Sequence, residues 1–429
     1  MNIIEELRWR GLIQDIIPGT EEQLQKEPTT AYIGFDPTAD SLHIGSLVPI
    51  LILVHFQRAG HKPIALVGGA TGMIGDPTGK SEERNLLTEE QLAVNVEGIQ
   101  KQLSRFLNFD DKSATGSKLV NNLDWFRHIS FIDFLREAGK NITVNYMMAK
   151  DSVRKRIEGE TGISYTEFAY QIMQGYDFYW LYEHMNCKMQ MGGSDQWGNI
   201  TTGTELIRRK TGKEAFAFTC PLITKADGGK FGKTEKGNVW LDATKTSPYQ
   251  FYQFWLNASD ADAVKWIKIF TFLTQETIES LLQQHQQAPE KRLLQKTLAE
   301  ELTRFVHGAE ALSSVLETTE KLFSRADVPA SELSIDELEQ MEGVLNYQFD
   351  LDKIISGIDV TSFLAESGIL SSKGEARKLI QQGGITINRE KVIDPQFQIT
   401  EKMLLHKLYL LVQKGKKNYY LVRAVLPAN

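Results

Sequence analysis

The spacing of apolar and polar positions changes several times along the chain, and each change marks an element. Ile3, Ile4, Leu7, Leu12 and Ile13 recur at helical spacing around Trp9, which predicts one amphipathic helix and then a polar connector to residue 30. Residues 31–35 are continuously apolar, as in a buried strand, until Asp36-Pro37-Thr38 breaks the run; proline lacks an N–H and presets a turn. Residues 47–56 suit a buried helix, with Pro49 tolerated in its first turn. Residues 62–67 and 187–191 predict two more buried strands, each running into glycines. Residues 88–210 otherwise alternate helices with short apolar strands, and 163–182 is an aromatic-rich helix. Amphipathic helices follow near 249–256, 263–273 and 293–315, then an acidic, weakly patterned linker at 326–350. Ser372 and Glu375 form a capping-box signature for a helix over 373–382. Gly383-Gly384 stops that helix before strands at 385–388, 408–412 and 419–425. The prediction is an α/β parallel-sheet domain at 1–245, a helical domain at 246–325, a linker at 326–357 and a small α+β domain at 358–429.

Composition narrows the class. The chain has 429 residues, 41% hydrophobic and 24% charged, which is ordinary for a globular protein of two or three domains. No apolar stretch reaches the roughly 18 residues that span a bilayer, and the amino terminus lacks the basic-then-apolar layout of a signal peptide. Cys187 and Cys220 have no CxxC partner, so neither zinc nor a disulfide framework is indicated, and a cytoplasmic protein is the expectation. The net charge of −7 conceals an asymmetry: residues 358–429 hold eleven Lys/Arg against six Asp/Glu. A basic tail on an acidic body suggests a polyanionic partner for the tail.

The chemistry lies where strands end. Tyr32-Ile-Gly-Phe-Asp-Pro-Thr-Ala-Asp-Ser-Leu-His-Ile-Gly-Ser46 reads strand, polar turn, glycine, helix start, an order that favours phosphate binding at strand carboxyl ends and helix N-termini. The glycine-rich segment 68–81 lets backbone approach a ligand closely and carries Asp76, suited to an ammonium group. It is no P-loop, because Ile74 stands where that motif needs glycine. Tyr170, Gln174 and Asp177 share one helix face, and polar groups inside an aromatic stripe need partners. Gly192-Gly-Ser-Asp-Gln-Trp-Gly198 repeats the opening pattern and suits a ribose. Residues 224–237 hold four lysines and four glycines, fit to close over a polyphosphate.

In this order the segments resemble those of class I aminoacyl-tRNA synthetases of the bacterial tyrosyl type, over nearly the whole length. Residues 32–46 look like the HIGH segment, with Ser46 in place of its second histidine, and Lys230-Phe-Gly-Lys-Thr234 is similar to the KMSKS loop. Ser372-Lys-Gly-Glu-Ala-Arg-Lys through Asn388 looks like an S4-type RNA-binding module. The resemblance implies a Rossmann-like catalytic domain, a helical domain and an S4-like RNA-binding domain. It implies activation of L-tyrosine by ATP, brought as its Mg2+ complex, transfer to tRNA(Tyr), and a homodimer.

By that resemblance Tyr32 and Asp177 bond the substrate phenol, while Asp76, Tyr170, Gln174 and Gln196 hold the rest of tyrosine. Gly34, Asp36, Gly45, Ser46, Gly193 and Asp195 surround ATP or the adenylate. Thr38, His43, Lys230, Lys233 and Thr234 meet the phosphates as catalytic groups, and no residue is assigned to a metal. Selection against phenylalanine follows from buried groups that need a hydroxyl, a rule for which tyrosine-specific ligases are themselves the usual illustration. Arg377, Lys378, Arg389 and Lys391 in the tail, and Arg154, Lys155 and Arg208 in the body, are the candidates for RNA phosphates. An RNA-binding protein on a decayed scaffold, a tryptophanyl ligase and a small cytidylyltransferase are the competing readings. The retained His43, Asp195, Lys230 and Lys233 weigh against the first, Tyr32 with Asp177 against the second, and the length and tail against the third.

Overall fold

The structure, a computed structural model, describes residues 2–78, 87–110, 112–159, 162–229, 231–234, 237–323, 329–339, 344–415 and 418–426. The chain forms two compact units, one reaching to Thr246 and including Trp255–Val306, the other made of Ser247–Phe254 and His307–Asn429.

Five parallel strands build the first unit: β1 (Thr30–Phe35), β2 (Lys62–Val67), β3 (Lys118–Asn121), β4 (Cys187–Gly193) and β5 (Phe216–Cys220), in the order β3-β2-β1-β4-β5. The chain winds outward from β1 to β3, then returns to the other side of β1. The loops leaving β1 and β4 therefore diverge, and a crevice opens at their carboxyl ends. Both faces of the sheet are covered, which is why Ile64, Ala65, Leu66 and Val67 are all buried instead of alternating. Helices α1 (Leu47–Arg58), α2 (Tyr165–Met185) and α3 (Trp197–Thr211) flank the strands that form the crevice.

The predicted single N-terminal helix is two. The first, Ile3–Arg10, ends at Gly11, whose φ of +76° lets its N–H and that of Leu12 turn back onto the last carbonyls; a second runs Thr20–Lys26. Arg10 is buried and donates to the carbonyls of Lys268, Thr271 and Leu273 at 2.7–2.8 Å, with Glu6 balancing its charge. That clamp caps the end of helix α4 (Asp260–Phe270), which packs against α1 within the first unit. The stretch expected as a helical domain at 246–325 is accordingly divided between the units. The helix expected over 293–315 is likewise broken, at Gly308 with φ +92°, into Leu293–His307 and Ala309–Phe323.

In the second unit the expected linker is largely ordered structure. Leu345–Asp350 is a strand that pairs in parallel with Asn418–Val425, beside Tyr409–Lys414, Ile385–Ile387 and Glu390–Val392. Asn346, Tyr347, Gln348 and Phe349 alternate outward and inward, and Phe349 joins a core with Phe363, Ile380 and Val412. Ser372 caps helix Lys373–Gln381 as predicted, but Glu375 reaches Ser371 and Lys414, so the reciprocal half of the capping box is absent. No helix among the described residues is long and apolar enough to cross a membrane.

Candidate active site

The crevice between β1 and β4 is built on residues without side chains. Gly34 is exposed although it lies in the central strand, which makes it an open floor. A Cβ on Gly193 would lie 2.5 Å from Asp195 Oδ1, so glycine there lets that carboxylate fold back against the end of β4. Around this floor the polar groups form two networks. In the first, the Tyr170 hydroxyl donates to Asp36 Oδ2 at 2.7 Å and Thr71 to Asp36 Oδ1 at 3.0 Å. In the second, Gln196 donates to Asp76 Oδ2 at 2.6 Å and accepts from Asn199 at 3.1 Å, while Thr78 N–H holds Asp76 Oδ1. Gln174 is half-buried one turn beyond Tyr170, and Asp195 is exposed at the rim.

Behind the floor sits the most constrained group. Asp177 is 2% exposed, and its two oxygens accept from Trp125 Nε1 at 2.9 Å and Asn122 Nδ2 at 3.0 Å. Burial pushes its carboxyl up to about 8 despite those two donors. Tyr32 is 1% exposed, its hydroxyl has no hydrogen-bond partner among the described residues, and burial followed by the charge of Asp177 raises it well above the ordinary phenol range. A buried hydroxyl with no bond is costly, so this one is aimed at something the protein alone does not supply. Gln190, register partner of Tyr32 on β4, also leaves its buried Oε1 without a hydrogen-bond partner among the described residues. The site can therefore bind a small polar molecule deep in an apolar pocket.

Asn122, Trp125, Gln190 and Thr71 were not singled out by sequence. Gln190 carried a usable signal, a lone amide in a buried apolar strand. Asn122 and Trp125 carried none, since only the fold brings them to Asp177.

The residues expected to meet the phosphates begin with His43. His43 folds back so that Nδ1 accepts the Gly45 N–H at 3.0 Å, and a Cβ on Gly45 would come within 2.7 Å of that ring. His43, not Ser46, thus supplies a side-chain cap here; Ser46 begins α1 without a side-chain cap hydrogen bond. Thr38 is exposed, its N–H bonded to Asp36 O at 2.9 Å. The Ile44 N–H bonds to Val239 O at 2.9 Å, tying this segment to the chain just after the lysine loop. Within that loop Lys233–Thr234 pairs antiparallel with Gly237–Asn238, while Lys230 lies outside the described residues.

The basic candidates separate into two groups. Arg154 pairs with Asp151 and Arg208 with Glu205, each at 2.8 Å, leaving Lys155 exposed beside them. Arg156, in the same run, is buried against Glu167 and is structural. In the second unit Arg377 and Lys378 are exposed on one helix. Lys391 lies over Gly383 at that helix's end, and Arg389 sits with Asn388 in a two-residue left-handed turn.

Comparison with known proteins adds an independent line. Residues 24–324 match the model of class I tRNA synthetases (W and Y), and residues 342–422 that of the tyrosine–tRNA ligase SYY-like C-terminal domain. The chain is 59% identical to the tyrosine–tRNA ligase of Parabacteroides distasonis and to that of Flavobacterium johnsoniae, covering 99% of this chain and 100% of each relative. Among solved structures, a C-terminally truncated mitochondrial tyrosyl-tRNA synthetase of Aspergillus nidulans aligns with a TM-score of 0.67 and 29% identity, over 75% of this chain and 94% of that one. A tryptophanyl-tRNA synthetase of Encephalitozoon cuniculi shares the fold at a TM-score of 0.52 and 12% identity, over 78% and 90%.

Proposed function

We propose, from the premise that the chain belongs to the class I tRNA synthetases and matches tyrosine-specific members end to end, how its crevice carries out their reaction. The activity is that of a tyrosine–tRNA ligase, which activates L-tyrosine with ATP, releases pyrophosphate and esterifies tRNA(Tyr). The observation that carries the residue assignment is the buried Tyr32 hydroxyl, unbonded, beside the Asp177 carboxyl. A phenol placed between them supplies the missing partner, and phenylalanine leaves the buried Tyr32 hydroxyl unsatisfied.

Tyrosine then lies over Gly34, its ammonium group meeting Asp76, Tyr170 and Gln174, with Gln196 orienting Asp76. Its carboxylate is already a nucleophile and needs no side-chain base. Rate comes from alignment with the α-phosphate and from stabilising charge on the phosphates. Thr38, His43, Lys230, Lys233 and Thr234 supply that stabilisation, while Asp36, Gly45, Ser46, Gly193 and Asp195 seat the adenylate. Mg2+ enters with the ATP phosphates as part of the substrate. In the second unit Arg377, Lys378, Arg389 and Lys391 contact tRNA phosphates, with Lys155 the best-placed candidate of the body.

The working form is a homodimer in the cytoplasm. Phe131 and Ile132 are 63% and 61% exposed, and Val144, Met148, Ile157 and Tyr165 are also exposed, all within the one stretch 131–165. Such density of exposed apolar side chains marks an association surface. ATP–pyrophosphate exchange with tyrosine, phenylalanine and tryptophan supplied separately, followed by charging of tRNA(Tyr), tests the assignment. Exchange with tyrosine alone supports it. Strong exchange with phenylalanine would mean that Tyr32 and Asp177 do not read the phenol.

A further inference from the structure

The geometry points to Trp180 as a positioning residue for phenol recognition, acting through Trp125 on Asp177. This rests on the reading that Asp177 accepts the substrate hydroxyl. Trp125 sits in a single helical turn, Leu123–Phe126, at the end of β3. So short a turn does little to fix the rotation of an indole ring. The ring is fixed from outside: Trp125 and Trp180 stack with centroids 4.3 Å apart and planes 12° from parallel. His184 covers the outer part of the column at 4.5 Å from Trp180. Asp177, Trp180 and His184 are spaced i, i+3, i+7 on α2, so one helix face carries both the carboxylate and the stack that aims its donor.

An indole has one N–H, and its bond to Asp177 Oδ1 at 2.9 Å survives only a small rotation of the ring. With Trp180 removed, Trp125 turns, and Asn122 is left as the carboxylate's remaining donor among the contacts described. The anionic form of Asp177 is then less favoured, and the phenol meets a weaker acceptor. Phenylalanine makes no use of that acceptor, so its recognition does not change. Trp180 therefore sets selectivity without touching substrate.

The test is exchange kinetics with tyrosine and phenylalanine for Trp180→Ala, Trp180→Phe, Trp125→Phe and Asp177→Asn. Trp180→Ala raises the KM for tyrosine roughly tenfold, a stacking contact plus a weakened charged hydrogen bond. The KM for ATP stays within about twofold, and Trp180→Phe, which keeps a ring in the stack, restores most of the loss. Trp125→Phe keeps the stack but lacks the N–H, and loses selectivity to a similar degree; this variant decides the matter if Trp180→Ala does not fold. Unchanged tyrosine-over-phenylalanine selectivity in Trp180→Ala or Trp125→Phe, with selectivity collapsed in Asp177→Asn, overturns the role of the stack and leaves the phenol assignment intact. Unchanged selectivity in Asp177→Asn overturns both.

Discussion

Tyrosine binding by this enzyme should release a proton, and the group responsible is Asp177. In the empty crevice burial holds its carboxyl at about 8, with burial outweighing the Asn122 and Trp125 donors. In the proposed complex the substrate phenol donates its hydrogen, so the bound form favours the carboxylate. The sign follows: the free protein keeps the proton below pH 8, binding expels it, and affinity rises with pH until Asp177 is ionised without help. With a free-protein value near 8, about one molecule in a hundred is ionised at pH 6 and about half at pH 8. Apparent affinity for tyrosine should thus improve by a factor on the order of tens across that interval, roughly 2 kcal/mol. Stopping at pH 8 keeps the substrate's own ammonium group charged. Equilibrium dialysis at pH 6, 7 and 8 measures the slope, and calorimetry in buffers of different ionisation enthalpy counts the proton. Asp177→Asn, which cannot titrate, should bind weakly and without a slope. A flat affinity with no proton released refutes the reasoning, because it would mean the two N–H donors already hold Asp177 ionised in the empty site.

Four further outcomes are expected. Asn122→Ala removes bonds to Ala70, Thr71 and Asp177 at a fully buried position and should destabilise by roughly 3–5 kcal/mol, read from thermal unfolding. Arg156→Met strands Glu167 in a site where the pair is 6% and 2% exposed; a loss of about 3–5 kcal/mol should follow, with exchange kinetics unchanged at low temperature. Lys233→Ala should slow adenylate formation on the order of a hundredfold or more in rapid-quench assays while tyrosine affinity stays the same. Arg377→Ala and Lys378→Ala should each lower the salt slope of tRNA binding by about 0.9 if they meet duplex phosphates, without altering pyrophosphate exchange.

How much was legible depended on the range of the interaction. The strand at 31–35 and its breaker at Asp36-Pro37 are local consequences of side-chain shape and a missing N–H, and the structure has them at Thr30–Phe35. The N-terminal helix was misread because Gly11 was not weighed as a left-handed cap. The strand Leu345–Asp350 was misread as linker although Tyr347 and Phe349 alternate with polar neighbours. A period of two over so few residues is weak until a partner strand supplies its hydrogen bonds.

The sequence by itself determined the order of strand, glycine turn and helix start, and it singled out Asp36 with Tyr170 and Asp76 with Gln196, which the fold joins by hydrogen bonds. It also determined the basic character of the tail. Only the tertiary structure decided what those residues are chemically. Asp177 takes its donors from Asn122 and Trp125, which lie 55 and 52 positions away in the chain. Burial raises its carboxyl well above the ordinary carboxylate range. The pairing of Arg156 with Glu167, and of Arg154 with Asp151, likewise separated buried from exposed charge within one basic run. The reason is physical: φ/ψ preference and capping act over a few residues, whereas desolvation and hydrogen-bond partnership depend on whatever the fold packs alongside.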